Sequence, residues 1–159
     1  MAKEISIRKA LSEDLNAIVS LWQELMDFHK EIDPYFGRSS DGHVLFRDLV
    51  SGHIESDDSC LLVAEEEGGG TVGYSLATLA RHLPVFENGY YGAILDIAVT
   101  ERCRRQGIGE RLYRQTESWF KRIGIHRIEV RVAVSNEASA AFWWKMDFCP
   151  YITTEVKNI

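Results

Sequence analysis

Apolar residues along this chain recur in two rhythms, and the changes between them lay out the elements. Ile5 to Ala10 alternates with period two and reads as a first strand. Ala17, Ile18, Leu21, Trp22, Leu25 and Phe28 then recur at helical spacing, predicting an amphipathic helix to about Lys30. Ser12 is its candidate N-cap, with Glu13 and Asp14 in the first turn, where acids suit the helix dipole. Asp33-Pro34-Tyr35-Phe36-Gly37 breaks the pattern, and Val44, Leu45, Leu49, Val50 and Ile54 mark a second helix. Cys60–Ala64 and Val72–Leu79 read as a hairpin about the Glu65–Gly70 turn. After a loop marked by Pro84 and Asn88-Gly89 come a strand, Ile94–Val99, and a helix from Gly109 that ends near Gly124. Ile128–Val134 alternates again, Glu137 to about Met146 is a last helix, and Tyr151–Val156 a last strand. The predicted order is β-α-α-β-β-β-α-β-α-β, a mixed α/β sheet in a single domain, 1–159. The two strands around the Gly109 helix are expected to be parallel neighbours joined by a right-handed crossover.

One stretch carries chemistry. The strand Ile94–Val99 runs into Thr100-Glu101-Arg102-Cys103, then Arg104-Arg105-Gln106-Gly107-Ile108-Gly109, then a helix. A helix N-terminus offers free amides and a positive dipole end, and glycine lets an anion approach the backbone. Arginines in the same turn add charge-assisted bonds to phosphate oxygens. This predicts an anion site for a pyrophosphate or phosphorylated cofactor. It is not a P-loop, since Glu110 follows Gly109 where Lys-Ser/Thr belongs. Nor is it a Rossmann fingerprint, whose third glycine is here Leu112.

Charge sharpens that picture. The chain has 159 residues and a net charge of −6, which argues against a nucleic-acid partner. Yet five arginines (102, 104, 105, 111 and 114) face one acid, Glu110, between positions 102 and 114. A basic island in an acidic protein suits a small polyanion, although Glu110 and Arg114 also read as a helical i,i+4 pair. No apolar run reaches the ~20 residues that span a bilayer, and the N-terminus has no signal-like core. A cytoplasmic protein without a membrane partner is expected. Cys60, Cys103 and Cys149 fit neither a disulfide framework nor a metal cluster. Cys103, beside the turn, is placed for exposure, but as a nucleophile it lacks any sequence-adjacent base.

The motif Arg104-x-x-Gly107-x-Gly109 after a strand ending in Val99 resembles the core motif of the GCN5-related N-acetyltransferase (GNAT) superfamily. A second match lies at Asn136–Phe148, where family members resemble Asn-x-x-Ala-x-x-Leu/Phe-Tyr-x-Lys-x-Gly-Phe. Asn136, Phe142, Lys145 and Phe148 agree with it. The element order matches the family's topology over essentially the whole chain.

The resemblance implies an acyl-CoA N-acyltransferase fold, acetyl-CoA as cosubstrate, no metal, and transfer of acetyl to an amine of a small molecule or peptide. It implies cofactor contacts from the main chain of Ile97, Ala98 and Val99, often at a bulge. The turn Arg104, Arg105, Gln106, Gly107, Ile108, Gly109 and Glu110 would hold the pyrophosphate, and Asn136, Phe142 and Trp143 would flank the arm. The position usually filled by a general-acid tyrosine is Trp143, whose indole cannot deliver a proton at neutral pH. Tyr151 is the nearest hydroxyl in sequence. Asp96, an acid inside an apolar strand, is either the general base through a water or the salt-bridge partner of Arg131. Glu129 carries the same two readings. His29, Asp33, Tyr35 and Phe36 would line the acceptor side, or Asp33–Gly37 is only a helix break. The family is often homodimeric, but no residue here marks an interface. The alternative to an enzyme is a noncatalytic acyl-CoA sensor on the same fold.

Overall fold

The computed structural model describes residues 4–159. Strand β1 (Ile5–Lys9) leads through a short helical turn into α1 (Leu15–Ile32), a turn at Pro34–Phe36, and α2 (Gly42–Glu55). Then come β2 (Ser59–Glu66), β3 (Thr71–Arg81) and β4 (Tyr90–Val99). A crossover through α3 (Ile108–Arg122) reaches β5 (Ile128–Val130), and α4 (Glu137–Lys145) follows. The sheet runs in sequence order, β1-β2-β3-β4-β5. Its first three pairings are antiparallel and the last is parallel, as the sequence predicts.

Helices cover both faces of the sheet. On one, Leu15, Ile18 and Leu21 of α1 and Phe46 and Val50 of α2 bury against Leu61, Val63, Tyr74, Leu76 and Ala98. On the other, Ile108, Leu112, Tyr113 and Phe120 of α3 and Trp143 of α4 meet Cys60, Leu62, Val72, Ala77 and Ile94. Gly92 is required by this second layer: a Cβ there would lie 2.5 Å from the fully buried ring of Phe120.

Four local expectations need correction. Asp14, not Ser12, forms the corner into α1, its buried carboxylate taking two bonds from Arg8 (2.7 and 2.9 Å) and one from the Leu11 amide (2.8 Å). Cys103 is buried, 3% exposed, beneath the start of α3. Strand β5 ends at Val130 instead of Val134. Tyr151–Val156 pairs with nothing and leaves Ile152 and Val156 79% and 87% exposed. A three-residue β5 gives such a tail little to pair with, and strand preference without a ladder does not make a strand. No helix among the described residues is long and apolar enough to cross a membrane.

Candidate active site

The site is made by a single surplus residue in β4. Leu76 of β3 faces Asp96, but its neighbour Ala77 faces Ile94, so Leu95 has no partner and forms a bulge. Before the bulge, Gly92 turns its amide to β5, bonding the Arg127 carbonyl at 2.8 Å. After it the phase is reversed. The Thr100 amide donates to Val72 on the β3 side at 2.9 Å. By the alternation of an antiparallel ladder, Ala98 and Asp96 also turn their main chain to β3, while Ile97 and Val99 turn theirs outward. The pairing with β5 stops at Ile94–Val130, so the outward groups of Ile97 and Val99 open into the gap where the two strands part. Ala98 is therefore a correction: its main chain belongs to the β3 ladder and its side chain to the core beneath α1.

Beyond Val99 the chain makes a tight basic turn. Arg105 (φ 63°) and Gly107 (φ 78°) both take the left-handed conformation, and α3 begins at Ile108. The opening amides of a helix have no acceptors within it. Among the described residues, the amides of Arg105 through Glu110 find no protein acceptor either. A Cβ on Gly107 would meet nothing within 4 Å, so that face of the turn is open to an incoming anion. The donors and dipole suit a pyrophosphate.

The side chains of the turn are mostly engaged elsewhere. Arg104 places Nε 2.9 Å from the Val99 carbonyl, pairs with Glu24 of α1 at 3.1 Å, and lies over the Phe28 ring. It shapes the turn and does not project from it. Gln106 Nε2 donates to the Arg102 carbonyl at 3.3 Å, and Ile108 is buried in the α3 layer. The Glu110 carboxylate takes a 2.7 Å bond from Lys145 of α4, with Arg114 at 3.8 Å. Lys145 thus ties the two sequence motifs together across the helix pair. Of the turn's side chains only that of Arg105 stands exposed with no partner assigned among the described residues.

Asp96 is half-buried, and desolvation pushes its carboxyl up to about 6, with the Tyr74 hydrogen bond working the other way. The Tyr74 hydroxyl donates to Asp96 Oδ2 at 3.2 Å from a fully buried ring. Of the two sequence readings of this acid, the Arg131 salt bridge is not formed. Glu129 is occupied too, accepting from Arg127 at 2.7 Å.

Asn136 caps α4, accepting from the Ser139 amide at 3.1 Å. Phe142 packs beside Gly109, whose Cβ would sit 3.5 Å from the ring. Trp143 is buried in the α3–α4 layer, edge-on to Tyr113 (5.7 Å) and Phe148 (5.0 Å), in a cluster that also takes in Ile97 and Val130. The position that resembles a general acid is here a core residue. Tyr151 stacks on Arg127, just ahead of β5, its ring centroid 4.4 Å from the guanidinium carbon.

The acceptor-side candidates do not converge on Asp96. The Asp33 carboxylate caps the Pro34–Phe36 turn through the Tyr35 amide (3.0 Å). Tyr35 and Phe36 line an apolar groove with Trp22, Met26, Leu45 and Leu49. Helical spacing puts Trp22 and Met26 on the opposite flank of α1 from Glu24 and Phe28. His29 is half-buried, which lowers its pKa. Sequence reasoning missed Tyr74, which alternates like any core strand residue, and Glu24, which sits among the polar positions of an amphipathic helix. No group of three or more metal-binding side chains occurs among the described residues.

A family model described as the acetyltransferase (GNAT) family matches residues 20–148. The chain belongs to that family. An uncharacterised N-acetyltransferase of Methanocaldococcus jannaschii is 29% identical over 143 residues, 89% of this chain and 76% of its own. Among solved structures, a mutant protein of Bacillus halodurans superposes with a TM-score of 0.87 at 24% identity, covering 97% of this chain and 99% of that one. An aminoglycoside 6'-N-acetyltransferase solved with CoA gives 0.74 at 15% identity, over 100% and 97%. At these identities the likeness is one of fold.

Proposed function

We propose that this chain transfers an acetyl group from acetyl-CoA to an amine, by direct attack of the amine on the thioester. The observation that carries the reading is the phase reversal at Leu95, which leaves Ile97 and Val99 amides facing a gap that ends at an open basic turn. The amides of Arg105–Glu110 suit the pyrophosphate, aided by the exposed Arg105 side chain. The arm would enter between β4 and β5. The outward amides of Ile97 and Val99 are donors for the charge that grows on the thioester oxygen as the carbonyl is attacked. An amino sugar, a polyamine or a peptide N-terminus would each supply a nucleophilic nitrogen once its ammonium has lost a proton.

Asp96 is the proposed base. With a pKa of about 6 it is ionised in neutral solution and able to take a proton from the amine through a water. Tyr74 holds the carboxylate at one oxygen, leaving the other for that water. Trp143, at the position of the motif's tyrosine, has no proton to give at neutral pH. A thiol of pKa ~8.5 leaves tolerably as thiolate, so transfer does not require that acid. The acceptor would reach the gap from the α1 side.

Calorimetry with CoA and with ATP, followed by an amine panel read through free thiol release, tests this. Binding of CoA and not ATP, with thiol release dependent on an amine, is the expected result. CoA binding without turnover on polyamines, amino acids, aminoglycosides or peptide N-termini would favour the sensor; no CoA binding would end both readings.

A further inference from the structure

The carboxylate of Glu24, on the flank of α1, gathers three donors from the β4–α3 connection. It accepts from the Thr100 hydroxyl at 3.1 Å, the Glu101 amide at 2.8 Å and the Arg104 guanidinium at 3.1 Å. One turn further along α1, Phe28 closes on the other side of Arg104, its ring centroid 5.8 Å from the guanidinium carbon. So α1 grips Arg104 with a carboxylate and a ring at once. Arg104 in turn donates Nε to the carbonyl of Val99.

That last bond matters because of where the carbonyl points. Val99 turns its main chain toward the gap, and an unclaimed carbonyl there would present negative charge to a thioester oxygen and a pyrophosphate. Claimed by Arg104, it is neutralised, and the end of the strand shows mainly donors. From these contacts we infer that Glu24 is a positioning residue for acyl-CoA. It orients Arg104 so that the Val99 carbonyl is withdrawn, the bonds from Thr100 and Glu101 holding the carboxylate in place for that contact. This inference rests on the acetyl-CoA reading above. As a bare ion pair the contact would count for little, since both side chains are roughly two-fifths exposed (37% and 41%). The bonds to a main-chain amide and a hydroxyl are what convert it into a fixed geometry.

A merely structural staple between α1 and the turn would change stability and nothing else. Calorimetry of CoA binding and steady-state kinetics separate the two. Glu24→Ala should raise the CoA Kd and the acetyl-CoA KM by about tenfold, with kcat and the acceptor KM within about twofold. Glu24→Gln keeps an oxygen for the Glu101 amide but loses the charge opposite Arg104, so it should fall between Ala and the unaltered protein. It also serves should Glu24→Ala not fold. Because Glu24 acts through Arg104, adding Glu24→Ala to Arg104→Ala should weaken CoA no more than about twofold further. Unchanged CoA affinity in a folded Glu24→Gln, or fully additive losses in the double variant, would overturn the inference while leaving the acetyl-CoA reading in place. Failure of the unaltered protein to bind CoA would remove both.

Discussion

Replacing Asp96 with asparagine should make the protein slower and more stable at the same time. An aspartate in an unfolded chain titrates near ~3.9, whereas burial holds Asp96 at about 6 in the fold. Between those values the folded state binds the proton more tightly, so the neutral carboxyl favours folding at low pH. That contribution is whole below the unfolded pKa and is lost as pH rises through 6. The gap of about 2 units, at ~1.4 kcal/mol each, means that keeping the charge buried costs about 3 kcal/mol at pH 8. Asparagine carries no such charge, and its carboxamide oxygen still accepts from the Tyr74 hydroxyl. Asp96→Asn should therefore match the unaltered protein near pH 4 and exceed it by up to about 3 kcal/mol at pH 8. For a chain of this size that is a rise of about 6–12 °C in melting temperature. Loss of the base should lower the rate by about 10²–10⁴. Denaturant titrations of both proteins from pH 4 to 8, with thiol-release assays at pH 8, measure both effects. Stability curves that stay parallel across that range would refute the reasoning, because the carboxyl would then not be ionising in a place that resists its charge.

Gly107→Val forces a β-branched residue into a φ of 78° and puts methyl groups on the anion-facing side of the turn; CoA affinity, measured by calorimetry, should fall more than about tenfold. Gly109→Ala should bind CoA almost normally in the same assay, because its Cβ makes an ordinary 3.5 Å contact with Phe142. Asp14→Ala breaks a buried fork to a partly exposed Arg8 and should cost about 2–3 kcal/mol at pH 7 in chemical denaturation. Arg8 holds the Asp14 carboxyl below its ordinary value, so this stability is present above pH ~3.9, is lost as pH falls through the folded pKa, and the variant's deficit should shrink in acid. Trp143→Tyr leaves space among Tyr113 and Phe148, and should lower stability by about 1–2 kcal/mol without raising the rate of thiol release. A faster enzyme would mean that position 143 does reach the leaving sulfur.

The elements most legible in the sequence are those whose burial follows one period. The α1 and α3 patterns are clean because each buries a single face in one layer, and the glycines of the phosphate turn announce themselves by the conformations they permit. What is hidden depends on how the chain folds back on itself. The fork from Arg8 to Asp14 needs the corner between β1 and α1, which no periodicity shows, so Ser12 reads as the better cap. Arg104 reads as a phosphate ligand from its neighbours alone, and only the arrival of α1 shows its guanidinium to be taken by Glu24 and Val99. Trp143 sits in the column of a motif, yet whether that column faces the gap or the core is set by the rotation of α4 against α3. The alternation of Tyr151–Val156 is a true β pattern whose ladder the short β5 does not supply.

The bulge at Leu95 has a consequence for how such a site can be lost or gained. No side chain at that position announces the opening; Leu95 could be many residues. What makes the gap is a count, one residue more in β4 than in β3, which turns the strand over halfway along its length. Delete a single residue there and every group downstream changes sides: Asp96 would leave Tyr74 and enter the α3 layer, and the amides of Ile97 and Val99 would zip into the sheet. The chemistry would be intact on paper and absent in space. An insertion or deletion within these few positions should thus be far more damaging than any substitution at Leu95, and an alignment with a gap placed one position wrong would assign the catalytic face to the wrong side of the sheet.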